Sequence, residues 1–486
     1  MQRRSLVVVT NRLPFDEHTA PEGAFDWQHS SGVLTSPGHP ALAATPVTWV
    51  GWCGSTGPAP ALPAVRGLHL RPVPLTEEDF RHHYEGYANA TLWPLYHDAV
   101  EHPAHHRRWW EAYRRVNRRF AERTAEVAPP GAAVWVQDYH LQLVPALLRA
   151  CRPDLTIGFF LHIPFPPPEL FMRLPRRADL LRGLLGADLI GFQRERSVRN
   201  FRLAVSDAGD LPVVASPATE APIAVDGRTV RTAVFPVSVD VPAVTELVGR
   251  PQVRERAAQI RRDLGSPRTV LLSVDRMDYI KGIEHRLKAY RELVADGELT
   301  APETTFVQVT VPSRERVDHY ERLRERVERE VGRINGEYGR VGAARIHYLN
   351  RTMGRDEIAA LYRAADVLLV TPLRDGMNLV AKEFVAARVD GGGALVLSEF
   401  AGAAAELSAA YLVNPHDTTG LKRTLMAAVA ADDAERRRRM AAMRAQVGAR
   451  DLRYWVRSFL DALVAAAPDA RRGSSQTRPA PLAATG

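Results

Sequence analysis

Cysteine is almost missing from this 486-residue chain, and its two copies, Cys53 and Cys151, make neither a disulfide framework nor a zinc-ligand spacing. That scarcity fits a reducing cytoplasm. No run of about eighteen apolar residues occurs, so no membrane span is expected. The one early apolar run, Leu6-Val7-Val8-Val9 behind Arg3 and Arg4, is too short for a signal peptide and closes in Thr10-Asn11-Arg12. It reads as a first buried strand. Lysine is scarce too: of 64 basic residues only Lys281, Lys288, Lys382 and Lys422 are lysines. An arginine surplus of that kind follows from nucleotide composition, which makes the placement of the few lysines informative.

What is present is ordinary in bulk, 45% apolar and 25% charged residues, the composition of a soluble globular chain of two to three domains. The formal charge of +8 would suit nucleic acid, a membrane surface or small anions. No zinc-finger or RNA-recognition motif accompanies it, and acids interleave the basic stretches, so nucleic acid is not the expected partner. Short apolar runs recur, each followed by an amphipathic stretch: Ala133 to Val136, Thr156 to Leu161, Leu189 to Ile190, Thr269 to Val274, Phe306 to Val311, Val367 to Thr371 and Ala394 to Leu397. Such alternation predicts an α/β protein with parallel sheet covered on both faces. A boundary is expected at Phe235-Pro236-Val237-Ser238-Val239-Asp240, after the Pro- and Ala-rich patch from Ser216 to Pro222. The chain then divides into two Rossmann-like domains, 1–236 and 237–464, facing each other across a crevice at their strand carboxyl ends. The last segment, 465–486, has the composition of a disordered tail. A charged helix is expected over Ser313 to Asn335, with Glu321–Arg324, Arg322–Glu325 and Arg324–Glu328 at pairing distance along a solvated face.

Two segments carry chemistry. In Val274-Asp275-Arg276-Met277-Asp278-Tyr279-Ile280-Lys281-Gly282 a strand ends in a loop with two cations five positions apart. That pattern suits a diphosphate gaining charge as it leaves. In Thr371-Pro372-Leu373-Arg374-Asp375-Gly376-Met377-Asn378-Leu379-Val380-Ala381-Lys382-Glu383 a second strand gives way to a tight turn and a helix starting near Asn378. The first amides of that helix are open to a phosphate, while Asp375 and Glu383 can read two hydroxyl groups of one ligand. Taken alone, a loop Asp is more often a cap and an early-helix Glu more often a dipole partner.

The order of Asn11-Arg12-Leu13-Pro14, Trp49-Val50-Gly51-Trp52, Tyr84 with Asn89, Leu92-Trp93-Pro94, Asp138-Tyr139-His140-Leu141, His162-Ile163-Pro164-Phe165-Pro166 and the two segments above resembles the trehalose-6-phosphate synthase family, from about residue 5 to about residue 460. The resemblance implies a retaining GT-B glycosyltransferase of two Rossmann-like domains, with the last helix returning to the first. Its reaction joins glucose from a nucleotide sugar to glucose 6-phosphate, giving α,α-trehalose 6-phosphate, with no metal and no cofactor. On that pattern Arg276 and Lys281 hold the donor diphosphate with the amides of Leu379 and Val380, and Glu383 bonds the ribose. His162 and Asp375 bind the transferred glucose. Gly32 lies in the loop that closes over the donor and Met353 contacts the base, while Ala381 and Lys382 belong to the same donor-binding turn. Arg12, Tyr84 and Arg314 bind the acceptor phosphate, and Trp93 and Asp138 line its sugar.

Three residues depart from the family pattern: Gln137 where histidine is common, Val33 after Gly32 where a second glycine is usual, and Ser238 at a common glycine position. Val33 narrows the backbone freedom of the closing loop. A related sugar-phosphate coupler, such as a glucosylglycerol-phosphate synthase or a pseudo-glycosyltransferase, and a silent sugar-phosphate binder remain the alternatives. The nucleotide base and a homo-oligomeric state stay open at this stage.

Overall fold

The computed structural model describes residues 5–14, 47–57, 67–98, 100–208, 213–214, 221–300, 302–313 and 318–467. Gly32, Val33 and Arg314, together with the tail after 467, lie outside the described residues. The first sheet is built from β1 (Leu6–Arg12), β2 (Val47–Trp52), β3 (Leu68–Pro72), β4 (Ala133–Gln137), β5 (Thr156–Leu161), β6 (Leu189–Phe192), β7 (Val213–Val214), β8 (Ile223–Val225) and β9 (Arg228–Val234), in the order 3-2-1-4-5-6-9-8-7. It is parallel except where β8 turns back on β7 and β9. The second sheet holds β10 (Thr269–Arg276), β11 (Thr304–Val311), β12 (Ile346–Asn350), β13 (Val367–Val370), β14 (Ala394–Ser398) and β15 (Tyr411–Val413), all parallel, in the order 12-11-10-13-14-15. Each apolar run named from the sequence falls on one of these strands, and β4, β5, β6, β13 and β14 are buried at every residue. Helices on both faces demand that pattern.

The strand orders locate the crevice. In the second sheet the chain leaves β10 towards β11 and β12, then returns on the other side with β13, so the order reverses between β10 and β13. In the first sheet it reverses between β1 and β4. Loops that diverge at such a point leave a cleft at the strand carboxyl ends. The carboxyl ends of β10 and β13 and the loops after them carry Arg276 to Lys281 and Arg374 to Asn378; those of β1 and β4 carry Arg12 and Asp138.

The final helix, Leu452–Ala466, packs not on the second sheet but on β5 and β6 of the first. Its Phe459 ring lies 4.5 Å from that of Trp135, and Gly158 and Gly191 leave it room, since a methyl on either would come within 2.9 Å of it. The chain therefore passes between the sheets twice, and the two passages touch: Leu452 N donates to the Val239 carbonyl at 3.0 Å.

One element was not readable in advance. Phe80–Leu92, which carries Tyr84, is wound as a 13-residue π-helix, a form that no propensity or spacing announces. The expected charged helix runs Asp318–Tyr338 and buries Tyr320, Leu323, Val327, Val331 and Ile334. Arg324 and Glu328 stand 3.9 Å apart, but Arg326 reaches off the helix to Glu284 at 2.8 Å. Among the described residues no helix is long and apolar enough to cross a membrane.

Candidate active site

On the second domain, β10 delivers Arg276 to the cleft, and Asp278 accepts the Ile280 amide to shape the following turn. Gly282, at φ +62°, closes that turn against the Thr371 carbonyl, where a Cβ would collide. Only glycine takes both the backbone angle and the approach. The turn thereby swings Lys281 to Asp375, with Nζ 2.6 Å from Oδ2. Asp375 also accepts from Asn378 Nδ2 at 3.1 Å and from the Met377 amide at 3.4 Å. Burial alone would raise its pKa, but the Lys281 ammonium outweighs it and keeps the carboxyl below its ordinary range.

Asn378, at φ +120°, caps the helix Leu379–Ala387 by accepting the Ala381 amide at 3.0 Å. The amides of Leu379 and Val380 are then the first-turn donors left facing the cleft, and that of Ala381 is already engaged. Lys382 is turned away altogether: its ammonium is buried 2.7 Å from Glu406 and 2.8 Å from the Val237 carbonyl, in the passage between the sheets. Burial lowers its pKa against the opposing pull of Glu406. Glu383, one residue on, accepts from the Tyr362 hydroxyl at 3.0 Å, and burial raises its pKa. Met353 sits half-buried between β12 and the helix Arg355–Ala364.

On the first domain, Arg12 ends β1 with its guanidinium over Trp52. Tyr84 is stacked between Phe80 and His140, with centroids 5.1 and 5.6 Å away. Asp138 takes φ +70°, and its carboxylate accepts the His162 amide at 3.2 Å. His162 Nε2 meets Gln137 Oε1 at 2.9 Å, so the residue that replaces the common histidine sits directly on this ring. Burial pushes the His162 pKa down to about 3, which leaves it neutral at ordinary pH. Ser238 is buried in the passage between the sheets, with no partner among the described residues for its hydroxyl.

The domains meet directly. Gly376 lies against the His162 carbonyl, where a Cβ would come within 2.5 Å. The Arg276 guanidinium stands 5.3 Å from the centre of the Trp93 ring, a cation–π approach. Arg374 reaches Asp98 at 3.2 Å and His319 reaches Glu101 at 3.3 Å. Residues expected on a donor side and on an acceptor side thus share one cleft. His97, which the sequence reading passed over, stands among them, four residues after Trp93 and 4.2 Å from its ring. Its spacing from Trp93 was the available signal.

The family model for glycosyltransferase family 20 matches residues 4–465. A trehalose-6-phosphate synthase of Mycolicibacterium paratuberculosis is 53% identical over 470 residues, 95% of this chain and 96% of its own. Among solved structures, an α,α-trehalose-phosphate synthase (UDP-forming) from Burkholderia xenovorans in complex with glucose-6-phosphate superposes with a TM-score of 0.85 at 33% identity, covering 94% of this chain and 100% of its own. A trehalose-6-phosphate protein from E. coli bound with UDP-2-fluoro glucose gives 0.85 at 34% identity, covering 94% and 99%.

Proposed function

We infer the reaction from the family: this chain belongs to glycosyltransferase family 20, and it is a trehalose-6-phosphate synthase by activity. It transfers glucose from a nucleoside-diphosphate glucose to glucose 6-phosphate and forms α,α-trehalose 6-phosphate. We take UDP-glucose as the donor, because the E. coli relative holds a UDP-glucose analogue.

The observation that carries the assignment of roles is the convergence of Arg276, Lys281 and the Leu379 and Val380 amides at one end of the cleft with Trp93, Asp138 and His162 facing them. The bond between the anomeric carbon and the diphosphate oxygen breaks, and the anomeric hydroxyl oxygen of glucose 6-phosphate bonds to that carbon from the same face. Its proton passes to the departing diphosphate, so no protein nucleophile is needed. Charge grows on the leaving group, and Arg276, Lys281 and the two amides are fixed donors aimed at it. Asp375, kept ionised by Lys281, accepts from hydroxyls of the transferred glucose, and neutral His162 adds a hydrogen bond without a competing charge. Glu383 takes the ribose, while Arg12, Tyr84 and Arg314 take the acceptor phosphate.

The test is to incubate the protein with glucose 6-phosphate and, separately, UDP-, GDP- and ADP-glucose, identifying the product by mass and NMR. Trehalose 6-phosphate from UDP-glucose is expected. Another disaccharide, or equal use of glucose and glucose 6-phosphate, would overturn the acceptor assignment.

A further inference from the structure

His97 belongs to neither of the substrate sets above, yet it lies where they meet. It ends the short helix Trp93–Tyr96, with its ring 4.2 Å from the Trp93 ring and its Nδ1 2.8 Å from the Trp93 carbonyl. A carbonyl only accepts, so Nδ1 carries the proton and Nε2 keeps a bare lone pair. No described residue bonds to that nitrogen. The residue is 1% exposed, and burial holds its pKa down to about 4, so the ring is neutral at pH 7. Trp93, on which it is stacked, meets Arg276 of the donor loop across the cleft at 5.3 Å, and the charges of Asp278, Asp375 and Lys281 are felt at the ring.

A histidine used only for packing would leave the Nε2 acceptor idle. The bare lone pair of Nε2 selects a ligand group that donates, which a sugar hydroxyl does. Because the ring is stacked on Trp93 and bonded to its carbonyl, it moves with the residue that faces the acceptor.

We propose that His97 is an acceptor-binding residue, whose Nε2 accepts a hydrogen bond from a hydroxyl of the glucose 6-phosphate held against Trp93. This rests on the functional reading above. The bond fixes the orientation of the incoming hexose between Trp93 and the Lys281–Asp375 pair, so that its attacking oxygen lies on the face from which the diphosphate departs.

Two variants separate this role from packing. In His97→Asn the amide nitrogen stands near the place of Nδ1, which keeps the bond to the Trp93 carbonyl and leaves the place of Nε2 empty. In His97→Gln the amide oxygen reaches the place of Nε2 and the bond to the carbonyl is lost. His97→Asn is expected to lower kcat/KM for glucose 6-phosphate about tenfold with the KM for the nucleotide sugar unchanged, and His97→Gln to recover most of that loss despite a lower Tm. In the unmodified protein, the ¹⁵N resonance of Nε2 should move when glucose 6-phosphate alone is added. Losses that follow Tm in both variants, a change confined to the nucleotide-sugar KM, or an Nε2 resonance indifferent to saturating glucose 6-phosphate would each overturn the proposal. If the unmodified protein transfers glucose from no nucleotide sugar, the functional reading fails, and the glucose 6-phosphate titration of Nε2 still decides this one.

Discussion

Lys281 and Asp375 form a close charged pair in the cleft, and each depends on the other. Lys281→Ala removes the cation proposed to hold the diphosphate and strands the Asp375 carboxylate, so kcat/KM should fall by roughly 2–5 kcal/mol of transition-state stabilisation, measured by nucleoside diphosphate release. A loss smaller than about tenfold would remove Lys281 from the diphosphate site. Asn378→Ala acts twice: it uncaps the helix that offers the Leu379 and Val380 amides, at about 1 kcal/mol of stability, and removes one of the two side-chain donors on Asp375 Oδ2, leaving Lys281. A fall in kcat larger than the fall in stability explains is the expected result, with urea unfolding run beside the assay. The two strand-end loops that bring Lys281 to Asp375 and start the helix at Leu379 were legible because rare lysine, glycine and a strand end coincide in the sequence. The contacts of Lys382 and Ala381 were not, since they are made with the Glu406 carboxylate and the Asn378 side chain. The role of Gln137 was equally hidden, because its contact with His162 joins β4 to the residue just past β5.

The strands of both sheets could be read in advance because fully buried parallel strands are unbroken apolar runs. The π-helix Phe80–Leu92 could not, because its wide turn is set by what packs on it, including Trp109 against Gly86. The element most exposed to test is the helix Leu452–Ala466. Phe459→Ala should cost about 3–5 kcal/mol, since the ring is fully buried against Trp135, Phe160 and Phe235. A shift in urea midpoint too small for that would mean the helix is dispensable to the first sheet. Gly376→Ala tests the contact between domains: its methyl must displace the His162 carbonyl. Activity should drop sharply with little change in Tm, because the strain is relieved by parting the cleft. An unaltered kcat would show that the two loops need not touch.

For the molecule as a whole, buried neutral histidines set the acid limit. His83 and His97 are buried, with pKa values pushed by burial to about 3 and about 4 from an ordinary 6.5. Between pH 6.5 and about 4 the unfolded chain binds protons that the folded one refuses, so stability rises with pH through that window and is level above it. Lowering the pH from 7 to 5 should cost about 2 kcal/mol for each of these groups, visible as a falling Tm. A Tm flat over that range would mean the two rings are protonated in place. The two touching passages between the sheets have a mechanical side as well. Leu6 lies in the first sheet and Ala466 ends the helix packed on it, so the second domain is inserted between two segments anchored on the same body. Tension applied between Leu6 and Ala466 would run through the first sheet and bypass the cleft, which a tether or a fused neighbour at either point would leave free to open and close.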